Sequence, residues 1–173
     1  NYLASSADNS NLKARQNQSM LSDQSLQWLL DELASNKLIE FDGKNINFLS
    51  EKNRFFCNGG WLEETTFAIV KRLSTELPII QDVKHSVEIA RAVDSKNVRN
   101  ELDVVALVNN KLHVIECKTK RFDSSDGNHT IYKLDSIVNR LGGIKARAAL
   151  VSFYPLNKAE MRRAKENDIE VFS

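Results

Sequence analysis

The sequence has no apolar run near the roughly 20 residues that a membrane-crossing helix needs, and no secretory signal opens it, so no membrane partner is expected. It has only two cysteines, Cys57 and Cys117. They lie far apart and share no metal-ligand spacing. That excludes a disulfide framework and fits a reducing cytoplasm. No Gly-rich phosphate loop appears, so ATP use is not expected. An excess of one charge is also missing: 24 basic residues face 23 acidic ones in 173 residues. The balance is uneven along the chain, with 12 Lys/Arg against 8 Asp/Glu in residues 111–173. A mildly basic C-terminal part can meet a phosphate backbone or simply be a solvated face. The first residue is Asn rather than Met, which reads as a fragment of something longer.

Two apolar runs, residues 101–108 and 111–118, stand on either side of Asn109-Asn110. Asn tolerates the positive φ of a two-residue hairpin turn. In that register paired residue numbers sum to 219, and Asp103 lies directly opposite Glu116. Lys118 shares the face of Glu116, because strand side chains alternate with period two. Both runs are rich in Val, Ile and Leu and read as central, buried strands. Two opposed carboxylates there are destabilising unless a proton, a cation or a partner neutralises them. A divalent metal with oxygen ligands does so directly. Lys118 adds a positive charge suited to an attacking water and a phosphate. The plain alternative is a structural charge cluster, with Asp103 and Glu116 neutralised by Lys118 and Lys120, or Lys118 paired with Glu101 across the register.

Residues 1–21 are polar and aperiodic and read as a linker or frayed terminus. Residues 22–57 read as a small helix-hairpin unit. Its helix spans about 25–35, with Leu26, Leu29, Leu30 and Leu33 on one stripe and Ser22 or Asp23 as cap. Its hairpin turns at Asp42-Gly43. This resembles part of a winged-helix unit. Asn58-Gly59-Gly60 breaks the chain, and residues 58–173 read as the main domain. A helix from Trp61 to 73–76 buries Leu62, Thr66, Ile69, Val70 and Leu73. At about 100° per residue, Glu63 sits about 60° from the centre of that stripe and reaches the core edge. A strand within 83–92, the hairpin and a polar loop over 121–129 follow. A helix over about 131–141 then points Ile131, Leu134, Ile137, Val138 and Leu141 inward and ends at Gly142-Gly143. Strand 146–153, helix 157–167 and strand 169–172 close an α/β fold with a mixed central sheet flanked by helices. One connection is a parallel crossover. Ligands in such sheets sit where adjacent strands diverge.

The pattern Asp103-x12-Glu116-x-Lys118, after a helix carrying Glu63, resembles the PD-(D/E)XK superfamily of restriction-endonuclease-like nucleases. So does the order helix, three strands, helix, strand. The strings Gly59-Gly60-Trp61-Leu62-Glu63, Asn100-Glu101-Leu102-Asp103 and Ile115-Glu116-Cys117-Lys118-Thr119, with Tyr132-Lys133-Leu134 and Leu141-Gly142-Gly143, narrow it. They resemble the C-terminal nuclease region of CRISPR-associated CARF-domain effectors of type III systems, over about residues 55–155. The superfamily's Pro before the first acid is replaced by Leu102. The resemblance implies a metal-dependent endonuclease cutting single-stranded DNA or RNA, or nicking duplex DNA. Asp103, Glu116 and the main-chain carbonyl of Cys117 would hold Mg²⁺ or Mn²⁺, and Glu63 would support the site. Lys118 would stabilise the phosphate or position the water. It further implies a homodimer activated by cyclic oligoadenylate through a sensor domain that this chain does not contain. Lys133, Lys120 and Trp61 are candidate substrate contacts; Lys133 reads equally as a solvated lysine, and Trp61 reads more readily as a core or staple residue than as a base-stacking platform. The alternatives are a repair or junction-resolving nuclease of the same superfamily and a silent nucleic-acid-binding module.

Overall fold

A computed structural model of the chain describes residues 3, 4, 7, 12–93, 96–122, 126–142 and 145–173; the side chains of 92, 93, 96–98 and 126–128 are not described. The chain forms two compact units, Asn1–Trp61 and Leu62–Ser173.

In the first unit, strands β1 (Lys13–Arg15), β2 (Ile39–Phe41) and β3 (Asn45–Phe48) form an antiparallel sheet in the order β1-β3-β2. Helices α1 (Gln18–Leu21) and α2 (Gln24–Ser35) precede the hairpin. The Asp23 carboxylate caps α2 by accepting the N–H of Leu26. At the hairpin turn Asp42 accepts the N–H groups of Lys44 and Asn45, and Gly43 takes φ 89°. The side chain and N–H of Asn45, then the N–H of Lys44, hold the Asp42 carboxyl down at about 2. The stretch expected to be a linker contributes β1, and Leu3, Ala4, Ala7 and Ala14 enter the core with Leu30, Ile39, Ile46 and Phe48. Arg54 donates to the carbonyls of Ala4 and Ala7 and pairs with Glu51, so backbone groups that composition alone left unassigned find partners. Leu29, expected on the buried stripe, is exposed.

The expected break at Asn58-Gly59-Gly60 is present as a kink between two helices. Helix α3 (Glu51–Phe55) passes through a π-turn (Phe56–Gly60) into α4 (Trp61–Glu76), and only Gly59, at φ 129°, leaves helical geometry. Glycine supplies that conformation without a Cβ clash.

The second unit is a five-stranded sheet in the order β4-β5-β6-β7-β8: Ile80–Val93, Lys96–Val108, Lys111–Lys118, Arg147–Ser152 and Ile169–Phe172. The first three strands are antiparallel, and the last two join in parallel. This is the expected mixed sheet, with longer hairpin strands. Asn109 and Asn110 stand at φ 49° and 59°, the doubly positive turn that matches the twist of a hairpin. Helix α5 (Asp126–Gly142) covers one face and α6 (Lys158–Glu166) lies before β8. Ile131, Leu134, Ile137 and Val138 of α5 pack with Val114, Ala148 and Leu150 of the sheet. The helix starts at Asp126, inside the expected loop. Leu141 is exposed, and Gly143, expected to end the helix, lies outside the described residues. Asn157 and Glu160 form a reciprocal capping box on α6.

On the other face, Phe67 and Val70 of α4 pack on Val83, Val104 and Ala106. The sequence placed Ile69 in this stripe, but Ile69 is exposed. Of the expected stripe Leu62 and Thr66 are buried and Val70 and Leu73 half-buried, so it holds at all but one position. Phe67 fills the sheet face that Ile69 was expected to fill. Glu63 is half-buried at the edge of the stripe, as expected.

Candidate active site

The register from the hairpin holds from Val108↔Lys111 to Val104↔Ile115, and the recorded pairing ends there. Beyond it the carboxylate of Asp103 takes the place of a ladder carbonyl: its Oδ2 accepts the N–H of Cys117 at 2.6 Å. The alternation of β5 also breaks at this residue. Leu102 packs into the core with α5, whereas Val104, two positions on, packs into the core with α4. In the neighbouring strand the pairing steps from His85↔Val104 to Val87↔Leu102 and omits Ser86, which sits at φ 51°. Such a local irregularity bends a strand and re-aims a side chain. Asp103 and Glu116, expected as a directly opposed pair, are therefore not a recorded ladder pair. The kink relieves the head-on opposition that made that register costly.

Strand β6 runs unbroken through Glu116, Cys117 and Lys118, which lie beside Leu150, Val151 and Ser152 of β7. Lys118 reaches back along its own strand, with Nζ 2.7 Å from Glu116 Oε1. It is thus the partner of Glu116, not of Glu101. The Glu116 side chain is only 12% exposed and that of Lys118 35%, so the pair is largely withdrawn from water. Phe153 N–H donates to the Lys118 carbonyl, and the Ser152 hydroxyl donates to the carbonyl of Tyr154, which ties down the end of β7.

Cys117 points to the opposite face. Its thiol contacts Thr66 Oγ1 of α4 at 3.5 Å. Burial pushes the thiol up to about 12, against the Thr66 hydroxyl, with Asp103, Glu63 and Glu116 adding to the rise. The sulfur is therefore a neutral packing group, and only the main chain of Cys117 can serve a ligand. Thr66, which sequence reasoning treated only as core, fixes α4 on β6 one turn after Glu63.

Electrostatics draw Glu63 into the same cluster. Burial, then Asp103, Glu101 and Glu116, raise its carboxyl to about 7, and Lys118 opposes them. Asp103 is raised by burial and by Glu116, while the Cys117 N–H and Lys118 act the other way. For Lys118, burial favours the neutral amine, but Glu116, Asp103 and Glu63 outweigh it and raise the group. Four ionisable groups thus sense one another where two strands part.

Charges interact over about 10 Å, whereas Mg²⁺ coordination needs about 2.0–2.1 Å. Among the described residues no group of three or more His, Cys, Asp and Glu side chains is gathered to hold a metal. The donor set is smaller: the free oxygens of Asp103 and Glu116, neither with a hydrogen-bond partner among the described residues, and nearby main-chain oxygen. Hard oxygen donors in small number suit Mg²⁺, which keeps several waters.

The other predicted contacts are placed less closely. Lys120 is exposed two residues beyond β6. Lys133 is exposed on α5 and makes no recorded contact with the carboxylates. Trp61 is half-buried at the start of α4 and belongs to the first unit. His113 senses burial, Glu170, Arg147 and Lys111, not the cluster.

Residues 50–173 match the family described as "Card1-like, endonuclease domain", and the chain belongs to that family. The family is one of endonucleases, and the fold is the expected mixed five-stranded sheet flanked by helices. The crystal structure of protein VC1899 from Vibrio cholerae is similar over 99% of this chain, with 38% identity and a TM-score of 0.91. Can2 from Sulfobacillus thermosulfidooxidans, solved in complex with cyclic tetra-adenylate, is similar over 83%, with 41% identity and a TM-score of 0.69. The chain spans only 45% and 41% of the lengths of those two proteins. No curated protein matches the chain. Among the described residues no helix is long and apolar enough to cross a membrane.

Proposed function

We propose that the chain is the nuclease part of a cyclic-oligoadenylate-activated effector and hydrolyses phosphodiester bonds of single-stranded DNA or RNA, or nicks duplex DNA, with Mg²⁺ or Mn²⁺. The observation that carries the reading is the meeting of Asp103, Glu116, Lys118 and Glu63 at the parting of β5 and β6, inside a chain of an endonuclease family. Asp103 and Glu116 would hold the ion through their free oxygens, with the Cys117 carbonyl. When bound, the ion supplies Lewis acidity, which lowers the pKa of a water and offsets charge on the phosphate. Positive charge there would also ease the burial and mutual repulsion that raise the carboxyls of Asp103 and Glu63.

Lys118 has two tasks in this reading. Without an ion it neutralises Glu116. Beside the donors that would hold the ion, the Lys118 ammonium would face the scissile phosphate, where a fixed cation stabilises developing negative charge. Glu63 faces the cluster from α4 and would accept hydrogen bonds from water in the site. Sensing of cyclic oligoadenylate is assigned to a longer protein on the similarity to Can2, and dimerisation follows only from the family resemblance.

The test is cleavage of labelled single-stranded DNA, single-stranded RNA and supercoiled plasmid in Mn²⁺, Mg²⁺ or EDTA, with Glu116→Ala as control. Mn²⁺-dependent cutting that the variant loses is the expected result. No cutting together with no Mn²⁺-dependent stabilisation sinks the reading.

A further inference from the structure

Beside Lys118 lies a cavity of about 240 Å³ lined by Lys118, Lys120, Arg121, Phe122, His129 and Thr130. Among the described residues no carboxylate lines it. Its volume falls below the roughly 300–1,000 Å³ of a small-molecule pocket, so it suits a group and not a whole ligand. Lys118 is committed to Glu116, but neither Lys120 nor Arg121 has a carboxylate partner among the described residues. Phe122 packs against the core with α5 and makes an apolar floor, not a stacking platform. His129 and Thr130 come from the start of α5, where the helix dipole favours an anion.

One of the cations is held in place. The guanidinium of Arg121 lies 4.7 Å from the centroid of the Tyr154 ring. That ring meets Phe153 edge-on at 5.1 Å, and the Tyr154 carbonyl accepts the Ser152 hydroxyl at 2.7 Å. The end of β7, whose Ser152 lies beside Lys118, thus sets both the position of Lys118 and the aim of Arg121. A cation stacked on an aromatic face keeps its donors free at the edge.

We propose that this cavity binds a backbone phosphate of the nucleic acid strand next to the scissile one, with Arg121 and Lys120 as the contacting cations and Tyr154 as a positioning residue. The proposal rests on the nuclease reading. Backbone contacts fix register along a strand without reading its sequence, so the cavity sets where the strand lies relative to Asp103 and Glu116.

The test uses the full chain with Asp103→Asn, which binds without cutting, and fluorescence anisotropy of labelled single-stranded oligonucleotides, DNA and RNA in separate arms. Arg121→Gln and Lys120→Gln should each weaken binding about 5- to 10-fold at low salt. Each should lower the slope of log affinity against log salt by about 0.7, the value for one contact to a single strand. Tyr154→Phe should bind like the parent, whereas Tyr154→Ala should match Arg121→Gln and add nothing to it. With Asp103 intact, Arg121→Gln should raise KM and leave kcat nearly unchanged. Unchanged affinity and slope in both charge variants, each checked for native circular dichroism, would overturn the proposal. So would a parent that binds neither DNA nor RNA. Binding with the expected slope, by a chain that with Asp103 intact neither cuts with metal nor is stabilised by Mn²⁺, sinks the nuclease reading and leaves the cavity as a binding site.

Discussion

The carboxylate of Asp103 receives the main-chain N–H of Cys117 at 2.6 Å, at the point where the pairing of two central strands ends. One oxygen of an acid is spent on closing the sheet, and the other remains open. The structural and functional roles of Asp103 therefore separate by chemistry, since an amide oxygen can accept the same hydrogen bond but carries no charge.

Asp103→Asn is expected to keep the Cys117 contact and abolish metal-dependent cutting, by about 100-fold or more. In EDTA at pH 8 its thermal midpoint should equal or exceed that of the parent, because a raised, half-buried carboxylate has been removed. A clear loss of stability in this variant would show that the charge itself holds the sheet together.

Lys118→Met should behave oppositely. It leaves Glu116 buried without its 2.7 Å partner beside a second acid. The midpoint in EDTA should fall, Mn²⁺ should restore much of it, and activity should drop by about 100-fold. Lys118→Arg is not expected to rescue activity, because a planar guanidinium differs in shape and reach from an ammonium. Calorimetry with and without Mn²⁺ checks this.

Metal-free stability should fall as pH rises from about 5 to 8. The Glu63 carboxyl titrates near 4.5 when unfolded and at about 7 when folded. Between these values the folded state binds more protons, so the slope of stability against pH is negative. The Asp103 shift has the same sign. The stabilising Lys118 shift is fully present below its unfolded pKa of 10.5 and is lost only as pH rises through the folded value above that, so it stays constant across this window. A midpoint lower by a few degrees at pH 8 is expected, at about 2–4 °C per kcal/mol for a protein of this size. Glu63→Gln should flatten the dependence, and Mn²⁺ should stabilise more at pH 8 than at pH 5. A stability that rises with pH in EDTA would contradict the reading.

Leu150→Ala tests the support beneath the site. Leu150 is fully buried beside Glu116 in the parallel pair of β6 and β7. The cavity should cost about 2–5 kcal/mol in chemical denaturation. Activity at low temperature should fall far less than in the Asp103 variant, which separates scaffold from chemistry.

Local signals carried much of this protein. Asn109-Asn110 between apolar runs specifies the turn and its register, and that register puts Asp103, Glu116 and Lys118 at one end of a hairpin. Periodicity placed α2, α4, α5 and α6, and capping residues such as Asp23 and Asn157 set two of their starts. Composition misread the N-terminal stretch, because the burial of Leu3, Ala4 and Ala7 depends on a distant Arg54. Local reading of α4 missed at one position, Ile69, since Phe67 and Ile69 are equally apolar and only the sheet face chooses between them.

The run Lys118-Thr119-Lys120-Arg121 was visible as charge, but nothing in it shows that Tyr154, more than thirty residues on, aims its arginine. The sequence by itself determined which chemical groups stand together, through hairpin register and the alternation of side chains. Only the tertiary structure decided how they divide the work: the kink at Asp103, the turn of Lys118 back onto Glu116, the coupling of Glu63 to the other acids and the stacking of Arg121. Each of these minimises the energy of burying charge, and that energy depends on neighbours that the chain brings together only on folding.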